Sequence, residues 1–253
     1  MTDSNKKIFG LIGYPLGHSF SRKFFNSKFD DEKINAEYLN FEIDDITKFP
    51  SILKDHINIS GLNVTIPYKK QIIPYLDEID ADAKAIGAVN VIKIIKNGTR
   101  TICKGYNSDS TGFKESLQPL LRENHRHALI LGTGGASKAV VHALHLLKIE
   151  ATYVSRNKKD NALTYNELNS DIMARNTLII NTTPVGMYPK INECPDIPYK
   201  FITPQHICYD LIYNPEETLF LKRAKDNGAI IKNGMEMLKL QALKAWEIWN
   251  NEY

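Results

Sequence analysis

The chain has 253 residues, 43% hydrophobic and 24% charged, with 32 Lys and Arg against 29 Asp and Glu for a net charge of +3. Such a length suits one large globular domain or two ordinary ones, and the composition excludes a mostly disordered or fibrous chain. So small a positive surplus is no nucleic-acid footprint, and no apolar run reaches the ~20 residues of a membrane span.

Cys103, Cys194 and Cys208 are odd in number and lack CxxC spacing. Reduced thiols and a cytoplasmic location are therefore expected. The polar start and the short apolar run at 8–12 do not make a signal-peptide core.

After that run comes a Gly/Pro loop, then helical spacing in Phe20, Phe24, Phe25 and Phe29. Alternation of Leu39, Phe41 and Ile43 with Tyr38, Asn40 and Glu42 predicts a strand. Asp44 or Asp45 can cap a short helix bearing Ile46, Phe49, Ile52 and Leu53. Residues 61–65 read as another strand, with Pro67 placed to start a helix. Segments 89–95 and 100–104 flank Asn97-Gly98, a strong hairpin signal. Strands mixed with helices, one pair antiparallel, predict a small mixed-sheet α/β unit.

The polar stretch 122–127 is the expected linker. Beyond it the pattern is regular: strand 128–131, glycine turn, helix 136–148, strand 151–155, later strands at 177–181, 207–211 and 229–232, and a helix at 216–227. This βαβ series predicts a doubly wound, Rossmann-like parallel sheet. An amphipathic helix over 235–249 follows, on the spacing of Leu238, Ala242, Ala245 and Trp246. The expected division is 1–122, joined by a C-terminal helix at 235–253, and a dinucleotide-binding domain at 123–234.

Leu131-Gly132-Thr133-Gly134-Gly135-Ala136-Ser137 leaves a predicted strand and opens a predicted helix, the setting of a dinucleotide fingerprint. Its glycines permit a tight turn and let backbone N–H groups reach a pyrophosphate at the helix N-terminus. Ser137 stands where the third glycine would be, and is still small enough for close packing. A ligand-free glycine turn is the alternative. About 20 residues on, NAD sites carry an acidic residue for the ribose 2′-OH. Here the chain has Ser155-Arg156-Asn157-Lys158-Lys159, which suits the 2′-phosphate of NADP; a solvated basic loop is the alternative.

Lys69 follows the strand ending Asn63-Val64-Thr65 and can serve as a proton donor, although a solvated lysine at a helix start has the same pattern. Asp109 and the hydroxyls of Ser19 and Ser21 are explained equally by helix capping. His142 and His145 have no Cys or acidic partners in metal-site spacing, so no metal is expected. Met235 and Met237 read as packing or lid residues.

Eight segments in order resemble the shikimate dehydrogenase family: 13–21 (GYPLGHSFS), 61–69 (GLNVTIPYK), 87–90 (GAVN), 105–109 (GYNSD), 132–136 (GTGGA), 181–187 (NTTPVGM), 209–213 (YDLIY) and 233–238 (NGMEML), with Gln241 after them. They cover nearly the whole chain. The resemblance implies reversible NADPH-dependent reduction of 3-dehydroshikimate to shikimate on the way to chorismate and the aromatic amino acids, in a monomer or homodimer. It implies a catalytic pair, Lys69 and Asp109. Ser19 and Ser21 would hold the substrate carboxylate, with Tyr213 nearby. Asn63, Thr65, Asn90 and Gln241 would hold the ring hydroxyls. Gly132, Thr133, Gly134, Gly135, Ala136, Ser155, Arg156, Asn157, Lys158, Leu211 and Gly234 would meet NADP.

One departure concerns the cofactor. Asp160 holds the place of the family's second arginine, leaving Lys158 or Lys159 to substitute as a point charge. Two other readings stay open at this stage: a quinate/shikimate dehydrogenase using NAD or NADP, and a non-catalytic NADP-binding module.

Overall fold

In the N-terminal part, an apolar run becomes the inner strand of a mixed sheet. The computed structural model describes residues 6–17, 19–98 and 100–251, so His18 of the 13–21 motif lies outside the described residues. The first elements are β1 (Lys7–Gly13), α1 (Phe20–Asp31), β2 (Ala36–Glu42), α2 (Phe49–Asp55) and β3 (Ile59–Val64). Then come β4 (Glu78–Ile79), α3 (Ala81–Ile86), β5 (Val91–Asn97) and β6 (Arg100–Tyr106). The sheet order is β2-β1-β3-β5-β6-β4. β1 runs parallel to both β2 and β3, while β5 and β6 form the antiparallel hairpin, with Gly98 at φ +60° in its turn.

Both faces of this sheet are covered, which changes the reading of β2. Phe41 and Ile43 pack with Ile12, Phe49, Leu62 and Ile92 on one face. Tyr38, expected on the polar side of the alternation, is buried on the other with Phe9, Phe25 and Phe29. No helix follows Pro67. Residues 66–72 are turns leading to a short 3₁₀ helix, Ile73–Tyr75. The Lys69 carbonyl accepts the Val89 N–H at 2.7 Å, Ile73 donates to Lys70, and Pro74 has no N–H to continue an α-helical ladder.

The second face is closed from the far end of the chain. α8 (Met235–Asn250) places Ala245, Ile248 and Trp249 among those aromatic rings. The Trp249 ring lies 4.8 Å from Phe9 and 5.2 Å from Phe25, and its Nε1 donates to the Ile92 carbonyl at 3.0 Å. Gly61 makes room for it, because a Cβ there would overlap the indole.

The other unit contains α4 (Asp109–Leu117), β7 (His127–Leu131), α5 (Gly135–Leu146), β8 (Glu150–Ser155), β9 (Ala162–Thr164), α6 (Ser170–Arg175), β10 (Leu178–Asn181), β11 (Ile207–Asp210), α7 (Leu219–Asp226) and β12 (Ile230–Lys232). Its strands are all parallel in the order β12-β11-β10-β7-β8-β9. This is the doubly wound arrangement, with β7 at the point where strand order reverses. Residues 128–131 and 178–180 are wholly buried, as continuous apolar strands covered on both faces must be.

The division of the chain differs from the expected one. One compact unit comprises 6–108 with 242–251 of the described residues, and the other 109–241. The boundary falls before α4 instead of at 122/123, because Phe113 and Leu117 belong to the core of the second unit with Val140 and Leu144. α8 likewise divides, its residues from 242 onward belonging to the first unit.

The stretch 122–127 is no linker but a fixed loop. The His125 ring is buried; its Nδ1 accepts the Arg122 N–H at 2.8 Å and its Nε2 lies 3.2 Å from the Gln205 carbonyl.

Both tryptophans, Trp246 and Trp249, lie in the first unit, so tryptophan emission follows its unfolding. Trp249→Ala removes a buried aromatic and should destabilise this unit by about 3–5 kcal/mol. Urea titration read by Trp246 emission tests this; a loss below ~1 kcal/mol would mean that the cluster repacks without the indole.

Candidate active site

The nucleotide side begins at the end of β7. Gly132 has φ +101°, and a Cβ there would lie 2.7 Å from Thr183 Cγ2, so glycine is required on two counts. A Cβ on Gly134 or Gly135 would meet nothing within 4 Å: both face open space. Gly134 caps α5, a 12-residue helix whose positive end favours anions. Ser137 is buried and donates to the Gly134 carbonyl at 2.7 Å, which fits its place in the turn.

A cavity of about 360 Å³ opens here, within the second unit. Gly132, Thr133 and Gly134 form one wall; Val154, Ser155, Arg156, Asn157 and Lys159 form another, with Tyr165 beside them. Thr182, Thr183, Pro184 and Val185 close it. The open glycines, the helix end, Arg156 and Lys159 together suit the phosphates of a dinucleotide.

The expected cofactor residues separate on this geometry. Gly132, Thr133, Gly134, Ser155, Arg156 and Asn157 line the cavity; Gly135 and Ala136 begin α5 beside it. Lys158 does not line it. Its ammonium pairs with Glu167 at 2.6 Å, and that contact, with N–H and hydroxyl bonds from Thr164, holds the Glu167 carboxyl down at about 2. Lys159 does line it, and its Nζ donates to Thr133 Oγ1 at 2.7 Å. Leu211 and Gly234 lie outside this cavity, packed backbone to backbone, since a Cβ on Gly234 would collide with the Leu211 carbonyl.

Thr182 and Thr183 were missed as cavity residues. The 181–187 motif held the signal, since it leaves β10 beside the switch point. Asn181 Oδ1 accepts the Thr183 N–H at 3.0 Å and its hydroxyl at 2.6 Å, and Asn181 Nδ2 donates to Asp210 at 3.0 Å. Asp210 also accepts from Thr218 Oγ1 at 2.7 Å and from the Ile212 N–H at 3.1 Å. Burial nonetheless raises its pKa to about 6.

In the first unit, Asn63 and Asn90 belong to one hydrogen-bonded chain with Tyr38, and Ser21 lies beside the Tyr38 hydroxyl. That hydroxyl donates to Asn63 Oδ1 at 2.7 Å. Asn63 Nδ2 donates to the Asn90 carbonyl at 3.2 Å. The Asn90 amide in turn donates to Ser108 Oγ at 3.1 Å and accepts its N–H at 2.7 Å. Tyr38 and Ser108 were not among the expected site residues.

Ser19 caps α1, its Oγ accepting the Arg22 N–H at 3.2 Å. Thr65 continues from β3, donating its N–H to the Ile12 carbonyl at 2.9 Å. Lys69 is half-buried in the turns that follow. In the second unit, Asp109 is buried at the first position of α4, Tyr213 is exposed beyond β11, and Gln241 lies on α8, whose backbone packs against Gly112.

Among the described residues no group of three or more His, Cys, Asp or Glu side chains is placed to hold a metal, and no helix is long and apolar enough to cross a membrane.

A parallel doubly wound unit with this phosphate turn, together with a mixed-sheet unit carrying a hydroxyl- and amide-rich network, defines a two-unit dinucleotide-dependent oxidoreductase. Residues 11–92 match the family model for the shikimate dehydrogenase substrate binding domain. A shikimate dehydrogenase (NADP(+)) of Methanococcus vannielii is 41% identical over 98% of this chain and 93% of its own. One from Desulforamulus reducens is 35% identical over 96% of this chain and 89% of its own. The crystal structure of shikimate dehydrogenase from Aquifex aeolicus has a TM-score of 0.84 at 35% identity, covering 99% of this chain and 94% of that one. The chain belongs to the shikimate dehydrogenase family.

Asp210 should reveal its burial on titration. Its raised pKa means that the fold binds this proton more tightly than the unfolded chain does. Its contribution is thus fully favourable below about pH 4 and is lost as pH rises through about 6. Carbon-13 NMR should place its titration near pH 6, and Asp210→Asn should gain in Tm relative to the parent between pH 4 and 7. Titration near 4 would mean that the three hydrogen bonds outweigh burial.

Proposed function

We propose that the protein reversibly reduces 3-dehydroshikimate to shikimate with NADPH, a step toward the aromatic amino acids. The observation that carries this reading is the near-full-length likeness to relatives named shikimate dehydrogenase (NADP(+)). Solved relatives include one from Thermus thermophilus in complex with NADP(H) and shikimate, and one from Listeria monocytogenes with shikimate and NAD. NADP is favoured here because β8 ends at Ser155 and runs into Arg156-Asn157, with no carboxylate among these residues for a ribose 2′-OH, and because Arg156 and Lys159 share the cavity wall. The three free cysteines suit the proposed cytoplasmic location.

Bound NADPH supplies the hydride for the substrate's carbonyl carbon. Lys69 delivers the proton to the carbonyl oxygen and recovers it in the reverse direction. Asp109 accepts the resulting hydroxyl in a hydrogen bond. Ser19 and Ser21 hold the carboxylate, with Tyr213 beside it, while Asn63, Thr65, Asn90 and Gln241 hold the ring hydroxyls. These contacts keep the ring oriented for reaction.

Lys69→Ala should lower kcat by roughly 10²–10⁴ while changing shikimate KM much less. Asp109→Asn should act similarly, and the double variant should be little worse than either, since the groups work as a unit. Near-normal kcat in Lys69→Ala would remove Lys69 from the proton's path.

Cofactor choice is tested with NADP and NAD, each against shikimate and quinate. Arg156→Ala and Lys159→Ala should raise KM for NADP far more than for NAD, whereas Lys158→Ala should leave both near the parent values. Equal effects on the two cofactors would overturn the 2′-phosphate assignment.

A further inference from the structure

Tyr38 is a buried hydroxyl to which the chemistry above gives no task. It sits on the edge strand β2, and four groups on two elements fix it. Asn26 of α1 brackets its backbone, donating Nδ2 to the Tyr38 carbonyl at 3.1 Å and accepting its N–H through Oδ1 at 2.9 Å. Those bonds stand where another strand would otherwise pair. Phe25 stacks on the ring at 4.8 Å and 11°. Ser21, one turn earlier on α1, lies beside the hydroxyl, and Asn63 on β3 accepts from it at 2.7 Å.

The donors can be assigned one by one. Asn63 Nδ2 gives a hydrogen to the Asn90 carbonyl, so Oδ1 is the atom turned toward Tyr38. An amide oxygen only accepts, so Tyr38 must donate its single proton there. Burial holds the phenol pKa well above its ordinary value, so that proton is present throughout the working pH range. With Oδ1 committed, what Asn63 offers a ligand is its second N–H.

We propose that Tyr38 is a positioning residue for substrate recognition: its hydroxyl, together with the Asn90 carbonyl, locks the Asn63 amide with an N–H outward, selecting ligands that present oxygen lone pairs at this point. This rests on the reading that Asn63 binds substrate. Without the Tyr38 proton the Oδ1 end loses its partner and only the Asn90 carbonyl still holds the amide, so the outward N–H is no longer firmly aimed at the ligand.

Tyr38→Phe keeps the ring and its packing and removes only the donor. It should raise shikimate KM roughly 5- to 30-fold, with kcat within about threefold and NADP KM unchanged. A merely structural tyrosine would lower Tm and leave that KM-against-kcat split absent. Asn63→Asp keeps an acceptor for Tyr38 but has no outward N–H and sets an oxygen against the Asn90 carbonyl, so it should raise shikimate KM and lower Tm as well. Adding Tyr38→Phe to Asn63→Ala should change KM little beyond Asn63→Ala alone. Parent-like KM in Tyr38→Phe, beside a raised KM in Asn63→Ala, overturns the proposal while leaving Asn63 in the site. Parent-like KM in Asn63→Ala itself overturns the placement of Asn63, and the proposal with it.

Discussion

A carboxylate held only by an amide, a hydroxyl and a backbone N–H lies under the nucleotide half of the molecule. Asp210 ends β11 in full burial, and taking its charge out of water is costly. Its three hydrogen bonds offset part of that cost, and each ties down a different segment. Thr218 is the N-cap of α7, the Ile212 N–H begins the loop after β11, and Asn181 ends β10. Through Asn181 the constraint passes to Thr183. Thr182 then stitches the same loop to the Leu131 carbonyl at 2.8 Å, one residue before the glycine turn. The cavity's far wall is thus tied to the buried carboxylate through Asn181 and to the glycine turn's strand through Thr182.

The basic loop shows how neighbours divide equal charges. Lys158 and Lys159 are adjacent and chemically identical, yet Glu167 engages the first and Thr133 the second. An exposed ion pair such as Lys158–Glu167 adds little to stability, because water screens it. Its larger effect is directional, since it commits one ammonium and leaves the other along the cavity wall.

Long periodic segments were legible in the amino-acid order. The β7–α5–β8 series, the Asn97-Gly98 hairpin and the phenylalanine face of α1 follow from periodicity and turn chemistry alone. The shorter pieces were not: β9 has three residues and α6 six, too few for a period to stand out. Tyr38 was placed on the correct face but read as exposed, because alternation assumes one buried side and β2 has two. Pro67 misled because proline marks a helix start only where the following carbonyls remain available, and Lys69 gives its own to Val89. Among site residues, Gly132, Arg156 and Asn63 could be named from motifs. Tyr38, Ser108 and the choice of Lys159 over Lys158 depend on contacts between distant segments, which no local pattern encodes.

The seat of Trp249 sets an order for biosynthesis. Phe9, Phe25, Phe29 and Tyr38 leave the ribosome well before the helix that covers them. At ~5–20 residues per second, the intervening residues 109–241 take roughly 7–30 s to appear. During that interval the nascent chain carries an uncovered aromatic face, the kind of surface that chaperones bind and that associates wrongly when crowded. The second unit has all of its strands in hand before that face is closed. Of the two units, the one whose strands are translated earlier therefore finishes its core later.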